Sequence, residues 1–182
     1  MYPSAAEYVH KQFVYEIAGA DKVSIDTNVD GPYAGLFPTT FDLLECWIIC
    51  RTDEAGPVGA SVDVTVNNDT GSNYDHTNIR ANNTSPASGF VNTSAWGLMT
   101  ASDTSSSSYS ANMRLTVPGY GGTAFFKSFE CFQHRPSATA ANDYIGLGAL
   151  VWLSTNAITR LKISAQGAAK LKVGSKMVVY LR

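Results

Sequence analysis

Charged side chains are scarce in this chain. Asp, Glu, Lys and Arg make up 15% of its 182 residues, against about 25% in an ordinary soluble domain. That excludes a coiled coil or a long helical bundle, both of which need charge on their exposed faces. The formal charge of −2 gives no overall drive towards nucleic acid. Cysteine is scarce too: Cys46, Cys50 and Cys131 are an odd, low set and not a disulfide framework. Cys46 and Cys50 lie on one face of a strand-like run, about 13 Å apart at ~3.3 Å per residue, too far to bridge. The expectation is three buried free thiols in a reducing cytosol. No apolar run reaches the ~18 residues of a spanning helix, so membrane insertion is not expected. The start, Met1-Tyr2-Pro3-Ser4, has neither the basic nor the apolar region of a secretory signal.

The motifs of common chemistries are missing as well. There is no Walker-type phosphate loop, no G-x-S-x-G elbow and no H-E-x-x-H helix. The three histidines, His10, His76 and His134, are far apart in sequence, with no local metal-ligand partner. The close carboxylate pairs are Asp42 with Glu45, on opposite faces of a strand, and Asp53 with Glu54, in a turn. Neither resembles the facing pair of a glycosidase, whose carboxylates come about 5–9 Å apart across a cleft. The reading is a non-enzyme, with no cofactor and no metal.

What takes the place of charge is Ser, Thr, Asn and Gly, arranged with a period of two. Strands are predicted at Glu7 to Ile17, Val23 to Thr27, Phe41 to Arg51 and Ser61 to Val66, then at Asn112 to Val117, Ala124 to Gln133, Tyr144 to Ser154, Ala157 to Ser164 and Lys176 to Arg182. Phe41 to Arg51 is apolar on both faces and so reads as a central strand covered twice. Gly146 and Gly148 inside the Tyr144 strand imply close packing or a bulge. The stretch Asn67 to Asn112 is polar, but it carries Tyr74, Ile79, Phe90, Trp96, Leu98 and Met99. So many large apolar groups fit short strands with long loops better than a disordered linker. The sum is an all-β chain of about nine or ten strands. The fold predicted is an antiparallel β-sandwich of jelly-roll type, spanning 1–182 as a single domain. Residues 1–20 are its first strand or an N-terminal attachment arm.

Charge is unevenly spread. After residue 143 there are six basic residues and no acidic one, whereas the first 143 hold seven basic and fifteen acidic, a net of −8. Alternation sets Arg160 and Lys162 opposite Leu161 and Ile163, and Lys170 and Lys172 opposite Leu171 and Val173. With Lys176 they form a candidate docking face for an acidic protein surface. Tyr74, Trp96, Tyr109 and Tyr120 lie in or beside polar loops, as candidate glycan platforms or as loop contacts. The loop Asp69 to Asp75 has oxygen side chains at alternate places, but it lacks the closing Glu of a calcium loop and reads as a turn. Four N-x-[ST] sequons begin at Asn68, Asn82, Asn83 and Asn92; they carry meaning only in a secreted eukaryotic protein.

The segment Asn67-Asn68-Asp69-Thr70-Gly71-Ser72-Asn73-Tyr74-Asp75 resembles the N-G-D-T-G-S-N-Y segment of a group of small structural proteins of tailed bacteriophages. Further stretches are similar in the same order. They are Phe41 to Asp53, Pro118-Gly119-Tyr120 with Thr123 and Lys127, Trp152 with Thr155 and Ala157 to Arg160, and Gly174-Ser175 before Val179-Tyr180. Asn68 stands where the group has Gly, and Leu181-Arg182 where it has Gly and an apolar residue. The resemblance covers roughly Phe41 to Leu181. It implies a jelly-roll virion protein, made in the host bacterial cytoplasm and exposed on the particle as a capsid decoration or a head-fibre component. Its implied partners are itself, most naturally as a homotrimer, and the major capsid protein or another virion protein. The alternative is a receptor-recognition module of a tail fibre or tail tip that binds a host surface glycan.

Overall fold

The computed structural model describes residues 11–30, 35, 37–54, 60–82, 85–90, 95–101, 109–136 and 143–182. The expectations for residues 1–10 and for the sequons at Asn83 and Asn92 lie outside the described residues.

Twelve strands are described. They are β1 (Lys11–Glu16), β2 (Ser24–Asp26), β3 (Leu43–Cys50), β4 (Ala60–Val66), β5 (Tyr74–Asn82), β6 (Ser85–Phe90), β7 (Trp96–Thr100), β8 (Ala111–Pro118), β9 (Lys127–Arg135), β10 (Tyr144–Trp152), β11 (Leu161–Ala165) and β12 (Lys176–Leu181). Nine match the nine predicted runs, with shifted ends. The other three, β5 to β7, come from the polar middle. Its Asn, Ser and Thr residues hide the alternation that Val62, Val64 and Val66 make plain in β4.

The strands form two antiparallel sheets of a β-sandwich. The larger has the order β1-β12-β3-β8-β9-β10-β5-β6, the smaller β2-β11-β4-β7. Strict alternation puts one side of each strand inside: Leu44, Cys46, Ile48 and Cys50 of β3 are buried, as are Met113, Leu115 and Val117 of β8. Leu161 and Ile163 of β11 answer them from the smaller sheet. Apolar faces of period two require such a partner layer.

Two expectations about strands are refined. β3 is central in its sheet but is not covered twice, since Trp47 on its outer side is 39% exposed. Gly146 and Gly148 mark close packing rather than a bulge: the β10 register runs unbroken against β5 and β9. A Cβ on Gly148 would sit 2.9 Å from the Thr77 carbonyl oxygen.

The strand directions divide the loops between two ends. One end carries the connections β2–β3, β4–β5, β8–β9 and β10–β11; the other carries β1–β2, β3–β4, β7–β8 and β11–β12. The motif Asn67 to Asn73 lies at the first end, and the segment 166–175, with Lys170 and Lys172, at the second.

Candidate functional site

At the first end the chain leaves β4 through two residues with positive φ, Asn67 at 51° and Asn68 at 59°. Asn tolerates this left-handed region better than most residues. The turn aims the Asn67 side chain at the irregular segment before β11. Its Oδ1 accepts from the Thr159 N–H at 2.9 Å, the Arg160 N–H at 3.1 Å and the Thr159 hydroxyl at 3.2 Å. Its Nδ2 donates to the Ala157 carbonyl at 2.7 Å. Asp69 closes the loop in the same fashion. Its carboxylate accepts from the Gly71 N–H at 2.9 Å, from Asn73 Nδ2 at 3.0 Å and from the Trp152 indole at 2.7 Å. Tyr74, fully buried, donates its hydroxyl to the Asp69 carbonyl at 2.9 Å and accepts from the Val66 N–H at 3.0 Å. The loop that carries the family resemblance is therefore a clasp between β4, β5, β10 and β11. Its carboxylate is turned towards N–H donors, which is the arrangement of a turn and not of a cation site.

The clasp delivers Arg160 to Asp26 on β2. Arg160 Nε donates to Asp26 Oδ1 at 2.8 Å, and Nη2 donates to Oδ2. Burial pushes the Asp26 carboxyl up, but the bonds from Arg160 and from the Asn28 N–H, with the charges of Arg160 and Lys162, outweigh it and hold the pKa below its ordinary 3.8. Burial likewise raises Asp69, and the bonds from Trp152, Gly71 and Asn73 bring it below 3.8. A depressed folded-state pKa means that the unfolded chain binds protons more readily. The stabilisation is therefore complete above the unfolded value near 3.8 and is lost as pH falls through the depressed values. The thermal midpoint is expected to fall as pH drops from about 5 to about 2, and Asp26→Asn is expected to make that fall smaller. An equal fall in the variant would show that the pair contributes nothing to the acid response.

The candidate docking cations do not share one face. Arg160 is committed to Asp26 at the first end. Lys162 stands on the outer side of the smaller sheet, in register with Asp26 and Thr65. Lys176 stands on the outer side of the larger sheet, beside Glu16 and Ile49. Lys170 and Lys172 flank Leu171, whose backbone bridges Lys22 and Thr52 at the second end. The physical reason is the segment 166–175, which crosses from one sheet to the other. Alternation restarts after the crossing, and the cations before and after it diverge.

Three of the four candidate aromatics are core residues. Tyr74, Trp96 and Tyr120 are each 0% exposed and present no ring to a sugar. They take the loop-contact role: Trp96 Nε1 donates to the Asp75 carbonyl at 3.1 Å, and the Tyr120 hydroxyl to the Pro38 carbonyl. Burial pushes both tyrosine hydroxyls up to about 12. The three cysteines are free and buried, and burial pushes Cys50 and Cys131 up to about 12, which suppresses their reactivity.

Tyr109 is the exception. It lines an open cleft of ≈ 250 Å³ at the second end, together with Arg51, Ser110, Lys172, Gly174 and Ser175. Among the described residues no carboxylate lines it. Lys172 lies 3.8 Å from Asp21, and the Ser175 hydroxyl donates to the Arg51 carbonyl at 3.3 Å. Two cations, one phenol and two hydroxyls suit a carboxylate or a polyhydroxylated group. The cleft thus joins one residue of each expected set, Lys172 and Tyr109. Arg51 is the member that sequence reasoning did not single out. It sits at the end of an apolar strand, and only the return of the chain through Lys172 makes it part of a site. No family model matches the chain, and no curated protein matches it.

Proposed function

We propose that this chain is a surface structural protein of a tailed-bacteriophage virion and acts by stoichiometric binding, as a capsid decoration or cement protein or as a head-fibre component. It would be made in the host cytoplasm and would bind copies of itself and the major capsid protein. The observation that carries this reading is the strand order. A jelly roll folds eight strands into two four-stranded sheets through two Greek keys, and it recurs in viral capsid and lectin domains. Here the larger sheet contains the run β1-β12-β3-β8 and the smaller sheet is β2-β11-β4-β7, and the chain changes sheet at each step from β1 to β4. On this reading the β5–β6 and β9–β10 hairpins are insertions that widen one sheet. A fold alone does not choose a function. The phage assignment rests on the ordered motifs from Phe41 to Leu181, of which the Asn67–Tyr74 clasp is one.

The second reading, a glycan-binding receptor-recognition module, is favoured by the Tyr109 cleft. A reconstruction of the virion with a copy-number measurement separates the two. Decoration predicts density over capsomers and on the order of hundreds of copies; roughly a dozen or fewer, at the tail, would sink it. Glycan-array binding lost on Tyr109→Ala would establish the second reading.

A further inference from the structure

A hollow of ≈ 240 Å³ lies on the outer side of the larger sheet, with Arg114, Thr116, Glu130, Phe132 and Leu147 among its lining residues. Alternation turns these side chains outward, since Leu115 and Cys131, the residues between them, are buried. The register sets them in two rows: Arg114, Phe132 and Leu147 in one, Thr116 and Glu130 in the next. Arg114 and Glu130 are therefore diagonal neighbours on adjacent strands, within reach of each other for long side chains. They do not pair. The Arg114 guanidinium lies over the Trp47 ring instead, 5.6 Å from its centroid. Among the described residues Glu130 meets no cation.

We propose that this hollow binds one ring of a neutral sugar. The C–H face of a pyranose lies on Phe132 and Leu147, and its hydroxyls reach Arg114, Thr116 and Glu130. The inference does not depend on the virion reading, and it places the sugar on the sheet and not in the Tyr109 cleft. The separation of Arg114 from Glu130 carries it. A guanidinium that stacks by its face keeps its N–H donors in its own plane. The hollow thus has a fork of donors on one side and a carboxylate acceptor on the other, with the Thr116 hydroxyl beside the acceptor. A sugar hydroxyl both donates and accepts, and bonds to a charged partner are the stronger kind.

Neighbouring groups keep the arrangement open. The Trp47 indole is fixed by its own bond, Nε1 donating to Glu45 at 2.6 Å. Glu45 also meets Arg182 at 3.5 Å, so the other carboxylate on the diagonal from Arg114 is already engaged. Size and charge then narrow the ligand. The volume is below the ~300 Å³ at which pockets for drug-sized molecules begin, which leaves room for a single ring. One cation and one anion line it, so a ligand of either net charge meets a like charge. A zwitterion spans the same two groups, but the hollow opens to water, where ion pairs contribute little. It also has no apolar face for Phe132 and Leu147.

Amide chemical-shift mapping on the isotope-labelled full chain tests this, with the methyl glycosides of glucose, galactose, mannose and N-acetylglucosamine as probes. At least one is expected to bind with a dissociation constant on the order of millimolar, as suits one ring on an open surface. The shifted amides should centre on Thr116, Glu130, Phe132 and Leu147. Glu130→Ala, at an exposed position, and Phe132→Leu, which keeps an apolar contact and removes the ring, should each weaken binding by at least ~5-fold. Tyr109→Ala should leave it unchanged, and about 0.5 M salt should alter it by less than ~2-fold. Free glycine or inorganic phosphate at the same concentration should not displace the sugar. The map on the unaltered chain stands even if a variant fails to fold. No shift with any of the glycosides, displacement by glycine or phosphate, or an affinity unmoved by both variants would each overturn the proposal. Shifts centred on Tyr109 and Lys172 would overturn it too, while leaving the glycan-binding reading of that cleft in place.

Discussion

Replacing Trp96 with alanine is expected to destabilise the protein by about 4 kcal/mol, the upper range for an aromatic core residue. In a chain of this length that lowers the thermal midpoint by roughly 8–16 °C. The size follows from its surroundings. Trp96 opens β7, is 0% exposed, and spans the space between the sheets. Its ring meets Tyr74 edge-on at 5.0 Å and 87°, and Phe129 at 4.3 Å and 65°. Each such pair contributes about 0.5–1.5 kcal/mol beyond burial. Truncation also removes the donor that satisfies the Asp75 carbonyl. Trp47→Ala is the control. That ring is 39% exposed, lies under Arg114 at 5.6 Å and donates to Glu45 at 2.6 Å; its loss should cost about 1 kcal/mol. Chemical denaturation of both variants checks the contrast, and equal costs would show that the space around Trp96 collapses.

Trp96 also marks what could be read before the structure was known. The strands with Val, Ile and Leu at alternate places, such as β4 and β8, announce their inner face by period alone. So does the burial of Cys46 and Cys50 on one side of β3. In the stretch from Asn67 to Asn112 that pattern fails: β5 carries Thr77, Ile79 and Ala81 outward and His76 and Asn78 on the side of the buried Tyr74, so large residues there do not mark one face. Trp96 and Tyr74 therefore read equally as glycan platforms or as loop contacts; they take the second role, from the centre of the core. The basic set failed for a different reason. Alternation is a local rule, and it says which residues share a side within one strand but not which sheet the next strand joins. Lys162 and Lys176 belong to closing strands of different sheets, a fact set by the crossing at 166–175. The Tyr109 cleft is non-local in the same sense: Arg51, Tyr109 and Lys172 come from three separate connections. The exposed side of β10 was hidden by the simplicity of its sequence. Ile145 and Leu147 sit in the most apolar run of the chain, where every residue reads as core until the register assigns alternate ones to solvent.

Asn67→Ala is expected to cost about 3 kcal/mol, more than its half-buried position would indicate. Two independent losses combine. The backbone at φ 51° strains a residue with a Cβ and no local polar compensation, by roughly 1 kcal/mol. The acceptor that holds Thr159 and Arg160, and the donor that holds the Ala157 carbonyl, also disappear. Asn67→Gly separates the two effects: it keeps the conformation and removes the clasp, so about 2 kcal/mol should remain. Asn67→Asp retains the acceptor and gives up only the donor to Ala157, for about 1 kcal/mol. The expected order of damage is thus Ala, then Gly, then Asp. The consequences reach past the turn itself. The clasped segment brings Ile158 into the core, its N–H donating to the Tyr120 carbonyl at 2.8 Å, and carries Arg160 onto Asp26. Loss of the clasp should therefore loosen the ion pair and flatten the acid dependence that the pair creates. Urea unfolding of the three variants at neutral and acid pH measures both effects. A glycine variant as stable as the parent would show that the side chain bonds of Asn67 hold nothing. An unchanged acid response in the alanine variant would mean that Arg160 finds Asp26 without them.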